Sequence, residues 1–350
     1  MRLTSYCFLI LLFNLTACKN SYQSPVLTAP AFSLKVERID TALFQLDSLG
    51  LQQNGKALKK KYSFIKEVFL SNILLLDSNQ GDREVTNELY SFVKAYQPIY
   101  KETKKMNLVA IAQPQLQQLF TYFHYYFPSY HLPSTLIYFI GPLEGFANTI
   151  EKDDMAIGLQ MYMGASSPWY QSSKIQGLYP NYLSQRFTPD FIPIMAAQNL
   201  WMDMQASTSM IKNTRSSFSS SNNFMQQMVQ EGKKIVTLQK LLPQSKIENI
   251  LGYTTAQWQH IQESESDIWK YILKMNLLYS KDPKLLKNMM EEGPFNIYFG
   301  NEIPANVGSY LGYQIVQSWL KQQSPIKQDD LNSLLKMSER QLWEESKYQQ

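Results

Sequence analysis

Cysteine is almost absent from this chain of 350 residues, which has only Cys7 and Cys18. Histidine is nearly as scarce, limited to His124, His131 and His260. These three stand too far apart to form the His-Glu-x-x-His helix of a zinc peptidase, which needs two imidazoles one helical turn apart. Also missing are a Gly-x-Ser-x-Gly elbow, a phosphate-cradling glycine loop ending in Lys-Ser/Thr, and any spaced cysteine pair. Asp153 and Asp154, with Asp190 or Glu231, could hold a hard cation, but the spacing is not that of a calcium loop and a solvated turn accounts for it. Dense runs of one charge are lacking: 33 basic residues meet 29 acidic ones, for a formal net charge of +4. The short Lys59-Lys60-Lys61 and Lys104-Lys105 groups suit solvated helix surface, so nucleic acid is not an expected partner.

No segment approaches the length of continuous apolar chain needed to span a bilayer as a helix. At the N-terminus, Arg2 precedes an apolar run from Phe8 to Phe13, and Leu15-Thr16-Ala17 leads into Cys18. The pattern resembles a bacterial lipoprotein signal peptide over residues 1–17, cleaved before Cys18, whose amine and thiol are then acylated. Cleavage removes Cys7 and leaves Cys18 as the sole cysteine, so no internal disulfide is expected. Multiple acyl chains anchor firmly where one does not. Residues 18–31 are rich in Ser, Gln, Pro and Thr and read as a tether, with 32–350 as a single domain.

Aromatic residues are abundant: 22 Tyr, 18 Phe and 6 Trp, which suits a packed body. Apolar spacing predicts helices at Ile39–Leu49, at Ile65–Ile73, at Glu84–Tyr96 ahead of Pro98, and at Gln113–Tyr126. Ser134–Gly141 is the best strand candidate. Phe146–Ile150 and Met155–Tyr162 flank a polar turn, and Phe32–Arg38 is a strand or an extended entry segment. The expectation is a small, mostly antiparallel sheet near 134–162. Gly164–Pro180 reads as a loop, and Trp169, Tyr170, Tyr179 and Tyr182 form a candidate interaction surface, with ordinary packing as the other reading. Further helices are expected at Ile192–Met204, from Phe224 to Pro243, and as two helices within 252–279, the first capped by Thr254. A loop at Ile211–Asn223, an extended Pro294–Gly300, a helix at Val307–Leu320 and an end helix at Asp329–Glu345 complete the chain. The fold class is α+β, predominantly helical.

In the Phe224 helix, Phe224, Met228, Ile235, Leu238 and Leu242 share one face. Glu231 falls on that stripe, where a carboxylate is costly without a partner. Gly232 follows at once, giving up helix propensity where Ala would be better. The pair suggests close backbone approach around a polar centre. The other reading puts Glu231 at the stripe's edge, its stem on the core and its carboxylate in water. Gly308 and Gly312, four residues apart in the later helix, also permit close packing.

Several landmarks together carry a resemblance. They are the lipoprotein signal, Ala156-Ile157-Gly158-Leu159, Tyr162-Met163-Gly164, Tyr182-Leu183-Ser184-Gln185-Arg186-Phe187 and Glu231-Gly232-Lys233-Lys234. Leu251-Gly252-Tyr253-Thr254, Asp267-Ile268-Trp269, Leu278-Tyr279-Ser280 and the run from Val307 to Val316 continue it. In their order and spacing the chain resembles, throughout its mature length, the gliding motility lipoprotein B family of Bacteroidota. The resemblance implies a lipid-anchored envelope protein required for gliding, acting with a motility apparatus that overlaps the type 9 secretion machinery. The family in turn resembles thermolysin-like zinc peptidases that have lost the metal-binding helix, which implies a zincin-like domain without a metal-binding motif. On that view Glu231 and Gly232 mark a degenerate site, Ile192–Met204 stands where the lost helix was, and neither catalysis nor a cofactor is expected. Many members carry Asp where this chain has Gln160, a further step away from hydrolysis. The alternatives are a hydrolase of peptide or cell-wall material with an unrecognised carboxylate arrangement, or a periplasmic peptide- or glycan-binding module. No acidic run follows Cys18, so the expected location is periplasm-facing, on the outer or inner membrane.

Overall fold

The computed structural model describes residues 27, 32–76, 81–145, 147–212, 222–323 and 328–349. The expected signal peptide, Cys18, most of the tether, Phe146 and residues 213–221 of the expected Ser/Asn-rich loop lie outside them.

The chain opens with β1 (Lys35–Arg38), α1 (Ile39–Phe44), α2 (Ser48–Lys61) and a π-helix at Ile65–Ile73. Next come α3 (Asp82–Lys105), α4 (Leu108–Tyr126), β2 (Thr135–Phe139), β3 (Asn148–Glu151) and β4 (Asp154–Gly158). The remainder is helical: α5 (Ser173–Leu178), α6 (Asn181–Ser184), α7 (Ile192–Lys212), α8 (Phe224–Leu241), α9 (Ile247–Leu251) and α10 (Thr255–Lys274) come first. After them follow α11 (Pro283–Met290), α12 (Val307–Gln322), α13 (Gln328–Lys336) and α14 (Glu339–Ser346). The architecture is the expected predominantly helical α+β.

The sheet corrects one expectation. Its order is β1-β2-β4-β3, with β1/β2 and β2/β4 parallel and only the β3/β4 hairpin antiparallel, so it is mixed rather than mostly antiparallel. Parallel neighbours need long crossovers. Here β1 is joined to β2 through α1–α4, a partnership that local hydrophobicity does not encode. All five β2 residues are buried, as a parallel strand covered on both faces requires.

Helical boundaries also differ, first where the expected Ile39–Leu49 helix divides into α1 and the start of α2, which runs on through Gly50. α3 runs through Pro98, because residues buried on both sides of it, Leu89 and Val93 before, Ile99 and Tyr100 after, outweigh one lost backbone hydrogen bond. α10 is continuous rather than two helices, and the end helix divides into α13 and α14, where Ser338 Oγ accepts from the Gln341 amide at 3.2 Å. Pro294–Gly300 is a turn and not an extended segment. It closes on buried Asn296, whose side-chain amide donates to the Asn288 and Ala305 carbonyls at 3.1 and 3.0 Å. The Gly164–Pro180 stretch contains a 3-10 turn at Pro168–Tyr170 and α5.

Reciprocal caps start the two helices that matter most. Asn223 and Gln226 exchange side-chain and backbone hydrogen bonds of 3.0 Å at α8, and Thr254 and Gln257 do the same at α10. α8 packs against α12, and α14 lies across both. Trp319 Nε1 donates to Glu345 at 3.1 Å, Ser318 Oγ donates to the Ser346 carbonyl at 2.8 Å, and buried Lys233 reaches Glu339 at 3.2 Å and the Met337 carbonyl. Among the described residues no helix is long and apolar enough to cross a membrane.

Candidate functional site: the glutamate–glycine step on α8

Gly232 is the point where α8 meets α12. A Cβ on it would lie 2.1 Å from the Gly312 carbonyl oxygen, and one on Gly312 would lie 1.8 Å from that of Met228. Neither distance is compatible with a side chain, so the expected close backbone approach is real and its partner is the second glycine of α12. Glu231, one residue earlier, has a side chain only 15% exposed. Its Oε1 lies 2.7 Å from Nζ of Lys234, one turn along the same helix. The carboxylate sits at the margin of the buried face, and its partner comes from its own helix rather than from a second element.

Around this step lies a set of groups that helical periodicity alone does not select. Tyr253 is buried, and its hydroxyl donates to the Asn306 carbonyl at 3.0 Å. Burial raises its phenol well above the ordinary value, the charge of Glu231 adds to this, and Arg186 opposes it. Arg186 pairs with Glu292 and donates to the Gly252 carbonyl at 3.2 Å. Gly252 closes α9 with φ +75°, and a Cβ there would sit 2.3 Å from the guanidinium, so both backbone and space demand glycine. The cavity bounded by Tyr182, Arg186, Tyr253 and Asn306 is about 10 Å³, room for about one water.

The Leu278 and Ser280 carbonyls accept from the Met225 and Phe224 amides, both at 2.9 Å, and so hold the first turn of α8. Trp269 packs against Trp343 and Tyr348, with centroids at 5.5 and 5.1 Å. Gln160 is fully buried, and its Oε1 accepts from the Gly141 amide at 2.9 Å. Among the described residues no group of three His, Cys, Asp or Glu side chains is placed to hold a metal ion. His131 lies at the surface 2.6 Å from Asp153, His260 is 3.8 Å from Glu302, and His124 packs beside Phe32. Asp153 is exposed, while Asp154 is half-buried at the start of β4.

The four-residue aromatic surface does not assemble. Tyr170 is 2% exposed, its hydroxyl donating to the Gln160 carbonyl at 2.7 Å and accepting from the Met163 amide at 3.0 Å. Tyr179 is half-buried, its hydroxyl donating to the Gly145 carbonyl at 3.3 Å and its ring set edge-on to Phe187. Tyr182 is half-buried beside Arg186, and Trp169 alone is exposed. Adjacent residues in a tight helical turn project in different directions, so Trp169 and Tyr170 separate into one outside and one inside.

Arg186, Glu292 and Asn306 escaped the sequence reading as site residues. Arg186 and Tyr253 occur within the motif segments, but nothing local indicates that they meet. A family model described as gliding motility protein GldB matches residues 20–350. No curated protein and no solved structure matches the chain. The match takes in the elements that form the glutamate–glycine step, and the chain belongs to the gliding motility protein GldB family.

Proposed function

We propose that this protein serves gliding motility as a non-catalytic, lipid-anchored component of the cell envelope, held through acylated Cys18 and facing the periplasm. Its role is to bind and support proteins of the motility and type 9 secretion machinery. On this reading the domain is a pseudo-peptidase descended from a zincin, and Glu231 is retained for structure.

One observation carries the non-catalytic reading. The carboxylate that would serve as an acidic ligand is neutralised by Lys234 of its own helix, beside a glycine crossing closed backbone to backbone. A hydrolytic centre needs a carboxylate free to meet water or metal across an open cleft. The cavity beside Arg186 and Tyr253 holds about one water, and Glu231 is not among its lining residues.

The test is crosslinking in intact cells of an affinity-tagged protein, with Cys18→Ala as control. The expected result is capture of motility or secretion components by the acylated form and their loss in the control. Stoichiometric tight zinc in the purified mature protein, together with peptide or cell-wall hydrolysis, would overturn the reading.

A further inference from the structure

A cleft of about 600 Å³ lies at the far end of α8, about 15 Å from Glu231 by the rise of the helix. It is distinct from the glutamate–glycine step and has the volume of a small-ligand site. Gln115 and Gln118, three residues apart on α4, contribute one set of amides, and Asn249 of α9 contributes another. All three side chains are half-buried, and none makes a hydrogen bond to another described residue. Pro193, Leu241 and Leu242 are buried residues that supply apolar lining, and Asp190 and Lys246 are exposed charges at its margin.

The chemistry of these walls narrows the ligand. A carboxamide presents a donor and an acceptor side by side, the complement of a peptide group. Among the described residues no aromatic ring lines the cleft, so they offer no platform on which a sugar or a base would stack. A single lysine, with an aspartate also in the lining, makes no phosphate or nucleotide site. The apolar lining suits an aliphatic side chain between the amide contacts.

We propose that this cleft binds a short extended peptide segment of a protein partner, read through its main-chain amides by Gln115, Gln118 and Asn249, with an aliphatic side chain against Leu241, Leu242 and Pro193. The inference does not depend on the anchor or on the absence of catalysis.

The test is selection of linear heptapeptides from a displayed random library against the full mature chain, followed by affinity measurement on synthetic peptides. Selected peptides are expected to lose about tenfold or more in affinity for Gln118→Ala/Asn249→Ala, with the melting temperature unchanged. A similar loss is expected when one peptide bond of the ligand is N-methylated. Should the double variant fold poorly, nitrogen-15 spectra of the wild-type chain give the same answer. The peptide must then shift the side-chain amide signals of Gln115, Gln118 and Asn249. Failure to enrich any peptide, equal binding to the variant, indifference to N-methylation, or displacement of the peptide by chitotriose would each overturn the proposal.

Discussion

Gly232 of α8 and Gly312 of α12 stand in direct backbone contact: a methyl group on the first would lie 2.1 Å from the carbonyl oxygen of the second. Interiors are packed as tightly as organic crystals, so two helices this close cannot yield by adjusting a side chain. One of the helices must move. The elements linked to α8 and α12, including α14, would be disturbed with them.

Gly232→Ala is therefore expected to cost about 3 kcal/mol or more, at or above the upper end for overpacked cores. Gly55, inside α2, is the opposite case, because a Cβ added there would meet nothing within 4 Å. Gly55→Ala is expected to stabilise by about 0.5–1 kcal/mol through backbone entropy and helix propensity. Urea unfolding of both variants measures the contrast, and equal behaviour would refute the backbone-contact argument.

Glu231→Gln separates structure from chemistry. Loss of the bond to Lys234 is expected to cost about 1 kcal/mol, more than a fully exposed pair because Glu231 is only 15% exposed. Gliding of cells carrying this variant should persist, whereas Gly232→Ala should impair it by destabilising the domain. Loss of gliding with full stability in Glu231→Gln would point to a direct role for the charge.

Asp40 is 2% exposed and receives both arms of Arg38, with Nε at 2.8 Å from Oδ1 and Nη2 at 2.7 Å from Oδ2. Arg38 is 40% exposed and regains water once its partner is removed, so Asp40→Ala is expected to cost about 2 kcal/mol rather than the larger loss of a fully buried pair. A denaturant midpoint unchanged from wild type would show that the fork contributes nothing.

The C-terminal end closes on Glu265, whose carboxylate accepts from the Tyr348 hydroxyl at 2.7 Å and from the Tyr310 hydroxyl. Tyr348→Phe is expected to cost about 1 kcal/mol and Tyr348→Ala about 3, the second through lost ring burial against Trp269. Limited proteolysis should cut Tyr348→Ala first within residues 339–349, and cleavage elsewhere would argue against a local clasp.

Lys240 is buried, and burial lowers its ammonium to about 7. Between pH 7 and the ordinary lysine value, the unfolded chain holds a proton that the folded protein has shed. This group therefore makes stability rise with pH across that window. Lys240→Met should raise the melting temperature at pH 7 and flatten the change between pH 7 and pH 10. A variant whose pH dependence matches wild type would exclude Lys240 as its source.

The one-dimensional chain determined most of what depends on neighbours in sequence. Apolar residues from Phe224 to Leu242 mark α8, Thr254 marks the start of α10, and Gly232, Gly308 and Gly312 mark close packing without naming their partners. The same local grammar misplaced helix ends at Pro98 and split α10, because burial on both sides of a weak point overrides its propensity. Only the tertiary structure decided that Lys35 pairs with Thr135 in a parallel ladder, and that Tyr170 turns inward while Trp169 stays out. It also brought Gln115, Gln118 and Asn249 to one cleft across more than a hundred residues of chain. Periodicity records which face of an element is apolar, but the identity of the element that covers it depends on long-range closure of the chain, which no local window contains.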